Sequence, residues 1–341
     1  MARVLVAMSG GVDSSVAAVL MRDAGHEVAG VTLKLWGGVQ DSGCCSVSDV
    51  EDARRVAGQL GIDHYVWNLT ELFEQRVVDP YSRAYEAGST PNPCIECNRT
   101  MKWGTMLERA TALGFDHVAT GHHARVVETS DGPRLARGAD PDKDQSYVLG
   151  VLEETQIART LLPVGAMTKT EVRKRATTLD LRTANKPDSQ DVCFVAGGDR
   201  SVFLGPRIAR RPGRFVDSTG NEVGTHSGID QFTIGQRRGL GVAAGHRTFV
   251  VDIDASTATI TLGDRSDLLR ATQPCRDLRF VGSRPTTSTE LTVQVRAHGG
   301  IASACLGDDE VVWATPQPRV APGQALVVYD GDIVIGSATA T

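Results

Sequence analysis

Short apolar runs alternate with amphipathic stretches through the first third of the chain. They predict strands over residues 4–8, 27–33, 64–68 and 117–120, and helices over 16–24, 50–60, 72–86 and 101–113. The run Val4-Leu5-Val6-Ala7-Met8 is apolar at every position, the mark of a strand covered on both faces. A βαβα rhythm of this kind builds a parallel sheet between two helix layers, with ligands at the carboxyl ends of the strands. A hairpin then joins 126–128 to 134–136 around Asp131-Gly132. Thr168-Lys169-Thr170-Glu171 reads as a capping box opening a helix over 171–179. Residues 182–198 are polar and aperiodic, which predicts a long loop of the kind that carries function. From about Gly213 short alternating runs and Gly/Asn turns indicate a small β-rich middle domain. From about Thr272 a further all-β unit follows, with strands over 291–296, 302–306, 310–314, 325–329 and 333–337 that suit a small barrel. The expected division is 1–198, 199–271 and 272–341: an α/β domain, a β-rich centre and a C-terminal β-barrel.

Composition changes this picture little. A chain of 341 residues exceeds one average core, and its composition is neither disordered nor low in complexity. No apolar run reaches membrane-spanning length and no leader precedes the first strand, so a cytoplasmic protein without a membrane partner is expected. Seven cysteines, an odd number scattered along the chain, point to catalysis, metal binding or plain burial and away from a disulfide framework. The net charge of −5 argues weakly against a nucleic-acid partner, but a local patch outweighs the average. Arg200, Arg207, Arg210, Arg211 and Arg214 have no acidic residue among them, and a solvated loop and a phosphate-binding patch both fit.

Three segments carry candidate chemistry. Ser9-Gly10-Gly11-Val12-Asp13-Ser14-Ser15 stands between the first strand and the first helix, the arrangement that cradles phosphate. Two glycines allow close backbone approach, and the hydroxyls of Ser9, Ser14 and Ser15 are expected to add donors. The loop has no Lys, which separates it from the loop that grips a β/γ-phosphate pair. Thr90-Pro91-Asn92-Pro93-Cys94-Ile95-Glu96-Cys97-Asn98 is predicted to hold its cysteines in a stiff turn before a helix beginning near Thr100. A helix N-terminus favours the thiolate and can lower a cysteine pKa from about 8.5. Asp188-Ser189-Gln190-Asp191-Val192-Cys193-Phe194 places a further cysteine in the polar loop.

The first of these resembles the SGGxDS loop of pyrophosphate-loop enzymes, which split ATP into AMP and pyrophosphate. With Pro-Asn-Pro-x-x-x-Cys-Asn, Ser-Gln-Asp-x-Cys-Phe and Phe232-Thr-Ile-Gly-Gln-Arg-Arg-Gly-Leu-Gly241, the chain closely resembles the bacterial tRNA-specific 2-thiouridylases from its first strand to its last. The resemblance implies a Rossmann-like, adenine nucleotide alpha hydrolase-like domain with a central domain and a β-barrel, and sulfur transfer to C2 of uridine 34. It places ATP on Ala7, Met8, Ser9, Gly10, Gly11, Val12, Asp13 and Ser14, with Leu33, where a Met is usual, and Gly121 beside the adenosine. It places Asn92, Pro93 and Cys94 at the target base, and His122, Lys143, Asp144, Gln145, Arg296 and Gln324 near the tRNA. Ala297 follows Arg296 where an aromatic is expected. Cys97 matches the family's catalytic cysteine and Cys193 its persulfide carrier.

The implied reaction adenylates the uracil C2 oxygen, so that a poor leaving group departs as AMP, with Mg²⁺ and the loop taking the charge of pyrophosphate. Asp13 would position Mg²⁺ or the loop. A cysteine desulfurase or sulfur-relay protein would load Cys193. Cys94 stands where the family often has Asp, and with Cys97 and Cys193 it offers three thiolates for a [4Fe-4S] cluster or zinc as an alternative sulfur carrier. The adjacent Cys44 and Cys45 are expected to cap the helix that follows, and Cys275 and Cys305 to be core. His64, His226, His246 and His298 read as structural or surface. Two rivals stay open: another pyrophosphate-loop ligase, which needs no paired cysteines, and a non-catalytic tRNA-binding protein.

Overall fold

The computed structural model describes residues 1–37, 46–188, 192–195, 198–242, 247–286, 289–297 and 299–341. Cys44, Cys45, His246, His298 and the Ser189-Gln190-Asp191 part of the second cysteine motif lie outside the described residues. The chain divides into two compact units. The first comprises Met1–Val77, Cys94–Gly198 and Asp332–Ile335, and the second Val78–Pro93, Asp199–Gly331 and Gly336–Thr341.

The first unit is built on the expected parallel sheet. Its strands are β1 (Arg3–Ala7), β2 (Glu27–Lys34), β3 (Asp63–Asn68) and β4 (His117–Ala119). The expected hairpin, β5 (Ala124–Thr129) and β6 (Gly132–Arg137), comes next, and then a two-residue β7 (Thr160–Leu161). The sheet runs in the order β3-β2-β1-β4-β7, all parallel. Val4, Leu5 and Val6 of β1 are fully buried, because helices cover both faces of the strand. Helix α1 (Val12–Asp23) buries Val16, Ala17, Ala18 and Val19 against Val4 and Val6, and α2 (Val47–Leu60) adds Ala53, Val56 and Ala57 to the same core. Helix α2 starts on a Ser46–Asp49 capping box and stops at Gly61 in the left-handed conformation. The capping box read at Thr168 is present and opens the helix Lys169–Thr178. Ile333 pairs with Ala136 of β6 in the same unit.

The second unit is β-rich. Strands β8 (Gly213–Val216), β9 (Glu222–His226), β10 (Phe249–Asp254) and β11 (Thr259–Gly263) form a sheet in the order β10-β11-β8-β9. Phe215 and Phe232 meet edge to face in its core, 5.1 Å between centroids. The remaining strands are β12 (Leu269–Phe280), β13 (Leu291–Gln294), β14 (Ile301–Leu306), β15 (Glu310–Pro318), β16 (Ala325–Asp330) and β17 (Ile333–Ala340), of which the part from Gly336 onward belongs to this unit. They follow the order β12-β15-β14-β13-β16-β17, and β17 returns to β12, closing a six-stranded antiparallel barrel. Strand β12, with Pro274 and four charged side chains, was not among the expected strands. Its alternation is masked by exposed polar positions, and its partners lie far along the chain.

Two local expectations are corrected. The helix expected over 72–86 is Thr70–Phe73, a π-helical stretch Glu74–Val78, and Asp79–Glu86. The helix expected to begin near Thr100 begins at Pro93, running through Cys97 into the π-helical stretch Asn98–Met106 and Leu107–Ala112. Proline is favoured at the first helical position, where its missing N–H has no partner to lose, so Pro93 starts this helix instead of holding the chain out of one.

Candidate functional site

The phosphate loop sits at the carboxyl ends of the strands, as expected. Met8 N donates to Val31 O (2.8 Å), and the Thr32 hydroxyl donates to Met8 O (2.7 Å), so β2 fixes the loop's entry. The Thr32 hydroxyl, with one proton, must accept from His64 Nε2 at 2.9 Å, which gives His64 a structural part. Leu33 follows on β2 and is buried. Gly10 has φ +72°, and a Cβ on it would collide with the Asp49 carbonyl of α2. Gly11 caps α1 without a side-chain hydrogen bond, so α1 begins with backbone donors unclaimed by any cap. A Cβ on Gly121 would lie 2.5 Å from Ser14 N, so the backbone after β4 lies against the first turn of α1. The structure thus brings Ala7–Ser14 and Gly121 together.

The hydroxyls behave differently from the expectation. Ser14 Oγ donates to Gly11 O (3.1 Å) and accepts from Ser9 N (3.2 Å), while the fully buried Ser15 donates to Gly11 O (2.8 Å) and accepts from Thr183 Oγ1 (3.0 Å). Each hydroxyl has a single proton, so these two serines brace the loop and leave its backbone N–H groups and the exposed Ser9 hydroxyl, 3.3 Å from Ser14 Oγ, as its donors.

Asp13 is engaged from two sides. Lys169 Nζ lies 2.8 and 2.7 Å from its two oxygens, and His123 Nε2 lies 3.0 Å from Oδ1. Burial alone would raise the Asp13 pKa, but the hydrogen bonds from His123 and Lys169 hold it below the ordinary carboxylate value. His123 is buried, with Nδ1 lacking a hydrogen-bond partner among the described residues. Neither Lys169 nor His123 was singled out from the sequence. The signals available were a lysine just inside a capping box and the second histidine of Gly121-His122-His123.

His122 stands between Lys102 and Thr120. Lys102 Nζ is 3.3 Å from Nε2, and Thr120 Oγ1 is 2.7 Å from Nδ1. An ammonium can only donate, so the ring proton sits on Nδ1. Burial, then Lys102 and His123, pushes the His122 pKa well below its usual value and leaves the ring neutral. Lys143, Asp144 and Gln145 all have partners within the unit. Lys143 Nζ meets Asp188 Oδ2 (2.9 Å), Asp144 accepts from Gly138 N (2.9 Å) and Ser146 Oγ (2.8 Å), and Gln145 Oε1 accepts from His123 N (2.9 Å).

Cys94 is exposed, Cys97 is buried and Cys193 is half-buried. Because the helix begins at Pro93, its N-terminal field acts on Cys94, with Cys97 a turn further in. Phe194 packs between Trp36 and Phe73 (centroids 6.0 and 5.6 Å), fixing the backbone beside Cys193. Among the described residues no three His, Cys, Asp or Glu side chains are gathered to hold a metal ion. The three thiols offered for the alternative cluster, Cys94, Cys97 and Cys193, form no such group among the described residues. Cys275 is buried, as expected for core, and Cys305 is half-buried.

In the second unit, Gln324 Nε2 donates to Thr90 O, and Thr90 N donates to Pro322 O (2.7 Å). The segment leading to Asn92 and Pro93 thus rests on the turn that carries Gln324. Arg296 is exposed at the end of β13. The arginine run is largely absorbed. Arg200 lies over Tyr85 (4.6 Å), Arg207 over Phe203 (4.2 Å), Arg210 pairs with Asp230 (2.9 Å), and Arg211 donates to Ala255 O (2.5 Å). These contacts favour the structural account of the run over the phosphate patch.

Comparison with known proteins gives this geometry its context. A family model described as the tRNA methyl transferase HUP domain matches residues 2–197. The tRNA methyl transferase PRC-barrel domain matches 201–264, and the aminomethyltransferase beta-barrel domain matches 271–340. The tRNA-specific 2-thiouridylase MnmA of Corynebacterium diphtheriae is 47% identical over 358 residues, covering 99% of this chain and 98% of that one. Its counterpart in Mycolicibacterium smegmatis is 48% identical over 360 residues, covering 99% of each chain. The domain descriptions speak of methyl transfer, whereas these relatives match from end to end and are named for thiolation. By full-length identity at this level, the chain belongs to the tRNA-specific 2-thiouridylase family.

Proposed function

We propose that this chain catalyses the ATP-dependent 2-thiolation of the wobble uridine, U34, in tRNAs of the Lys, Glu and Gln type. The observation that carries the reading is one chain in which the phosphate loop, the two cysteine segments and full-length likeness to 2-thiouridylases coincide. The uracil C2 oxygen attacks the α-phosphorus of ATP, and pyrophosphate leaves toward the backbone donors at the start of α1. The terminal sulfur of a Cys193 persulfide, loaded by a cysteine desulfurase or sulfur-relay protein, attacks C2, and AMP departs. The Cys97 thiolate then attacks Cys193 Sγ, leaving the sulfur on C2 and a Cys97–Cys193 disulfide that an external thiol reduces.

Mg²⁺ needs few protein ligands when substrate phosphates carry it, and Asp13 is the loop carboxylate that would hold it, through the Oδ2 lone pair that Lys169 leaves open, supplying charge neutralisation for the leaving group. Asn92, Pro93 and Cys94 would face the base, with Arg296 and Gln324 on the tRNA side. His122, Lys143, Asp144 and Gln145 would contribute by shaping that side, since their side chains are already bonded within the protein. The three functional parts would be the ATP-binding 1–198, the central 199–271 and the tRNA-contacting barrel 272–341. A cytoplasmic location accords with the tRNA substrate. No helix among the described residues is long and apolar enough to cross a membrane.

The test is an assay of purified protein with unmodified tRNA, ATP, a cysteine desulfurase and cysteine. AMP and 2-thiouridine are expected to form together, and Cys97→Ser and Cys193→Ser to abolish the thiouridine. Wild-type thiolation by either variant would sink the mechanism. AMP release without any thiouridine in the wild type would favour the ligase reading.

A further inference from the structure

Lys169 opens its helix at the first position behind the Thr168 cap. A cation is electrostatically misplaced there, because the N-terminal end of a helix carries partial positive charge and favours anions. Its surroundings compensate for that placement. The Lys169 backbone N–H donates to Asp140 Oδ2 (2.8 Å). The Lys169 side chain is 12% exposed, and its ammonium lies 2.8 and 2.7 Å from the two Asp13 oxygens and 2.9 Å from Asp188 Oδ1. An ammonium has three protons, and these three oxygens take them.

The two carboxylates belong to different parts of the proposed reaction. Asp13 is in the first turn of α1, two residues after Gly11, and Asp188 lies five residues before Cys193. Asp188 also receives Lys143 (2.9 Å) and Arg173 (2.7 Å). Arg173 in turn donates to Ala184 O (2.8 Å) and Lys186 O (3.0 Å), and Lys186 Nζ is tied to Asp49 (2.6 Å) and Asp52 (2.8 Å) of α2. The backbone approaching Asp188 is therefore held at several points. Lys169 alone among these cations also touches the phosphate loop.

Resting on the thiolation reading above, we propose that Lys169 is a positioning residue of the reaction: by sharing its ammonium between Asp13 and Asp188, it holds Cys193 in register with the phosphate loop at which the base is activated. Charge-assisted hydrogen bonds are strong enough for such register to matter, and small displacements of a nucleophile cost large factors in rate. Breaking the Asp188 end leaves activation of the base in place while the sulfur is misplaced. The adenylated uracil then loses AMP to water, regenerating uridine.

The experiment uses the full-length protein with unmodified tRNA, ATP and a desulfurase–cysteine sulfur source. AMP and 2-thiouridine are measured in parallel, and Cys193 alkylation by N-ethylmaleimide is followed by mass spectrometry. Asp188→Asn is expected to keep AMP release within about threefold of wild type while 2-thiouridine falls by about tenfold or more, with Cys193 alkylation several-fold faster. Lys169→Gln, which also frees Asp13, is expected to lower both products, and Lys169→Arg to restore most of each. Parallel loss of AMP and thiouridine in Asp188→Asn, with Cys193 alkylation unchanged, overturns the proposal, as does wild-type thiolation by both Asp188→Asn and Lys169→Gln. Should Asp188→Asn fail to fold, the contrast between Lys169→Gln and Lys169→Arg in Cys193 alkylation decides in the same sense. A wild-type chain that forms no thiouridine overturns the functional reading itself, an outcome distinct from the pattern in the variants.

Discussion

Gly10 shows how much of the loop rests on a single missing atom. Its φ of +72° is a left-handed conformation, and its α-carbon faces the Asp49 carbonyl with no room for a methyl group. A non-glycine residue in that conformation costs about 1–2 kcal/mol before any collision is counted. Gly10→Ala is expected to displace the loop from α2 and to reduce tRNA-dependent AMP release by roughly a hundredfold or more, since a misplacement of about 1 Å at a reacting centre costs that much. AMP release at the wild-type rate would show that the loop tolerates the shift. Asp188 gives a residue-scale prediction in pH. Burial works to raise its pKa, but Lys169 and Lys143 hold it at about 2, against 3.8 for an unperturbed group. A depressed folded pKa means that its stabilisation is fully present above pH 4 and is lost as pH falls from there toward 2. The stability difference between wild type and Asp188→Asn, measured by urea unfolding, is expected to be constant from pH 6 to 4.5 and to shrink below pH 4.

At the scale of elements, the local signals were the legible ones. The strand–loop–helix order around Ser9–Ser15, the capping box at Thr168 and the hairpin at Asp131-Gly132 are each encoded within a few residues, and the structure has all three. What the sequence left hidden depends on distance or on a residue with two readings. Pro93 can break a helix or begin one, and only the observed start at Pro93 places Cys94 rather than Cys97 in the first turn. Lys169 meets Asp13 across 156 positions, and no periodicity reports a pairing of charges so far apart. The difference in exposure along the Pro93 helix has a chemical consequence. In the native protein, N-ethylmaleimide is expected to modify exposed Cys94 well before buried Cys97, with denaturant removing the difference. Equal rates in the native state would contradict the burial of Cys97. The helix that delivers Lys169 depends on its cap. Thr168 Oγ1 accepts from Glu171 N, and the Glu171 carboxylate accepts from Thr168 N (2.7 Å). Thr168→Ala is expected to cost about 1 kcal/mol. In a thermal melt, that corresponds to a fall in Tm of about 2–4 °C for a unit of this size.

For the whole molecule, the order of residues along the chain and the grouping of residues in space do not coincide. Val78–Pro93 precedes much of the first unit in sequence, yet it belongs to the second. Tyr81 there meets Phe203 (centroids 6.4 Å), and Tyr85 lies beneath Arg200, whose guanidinium also reaches the Tyr85 hydroxyl at 2.9 Å. Both tyrosines are almost fully buried. The first unit likewise uses residues from near the C-terminus, since Ile333 pairs with Ala136. A fragment comprising 1–198 would keep the parallel sheet, the phosphate loop and all three site cysteines. It would lose Phe203 and Arg200 from around Tyr81 and Tyr85, and the strand partner of Ala136. Exposing one large buried side chain forfeits about 1.5–3 kcal/mol, so two aromatics are a large part of the stability of a typical domain. This fragment is expected to bind a hydrophobic dye strongly, to melt well below the full chain and to self-associate. Addition of residues 199–341 as a separate chain is expected to reverse the dye binding. A monomeric 1–198 fragment with a cooperative melt near that of the full chain, and no excess dye binding, would show instead that Val78–Pro93 is held by the first unit.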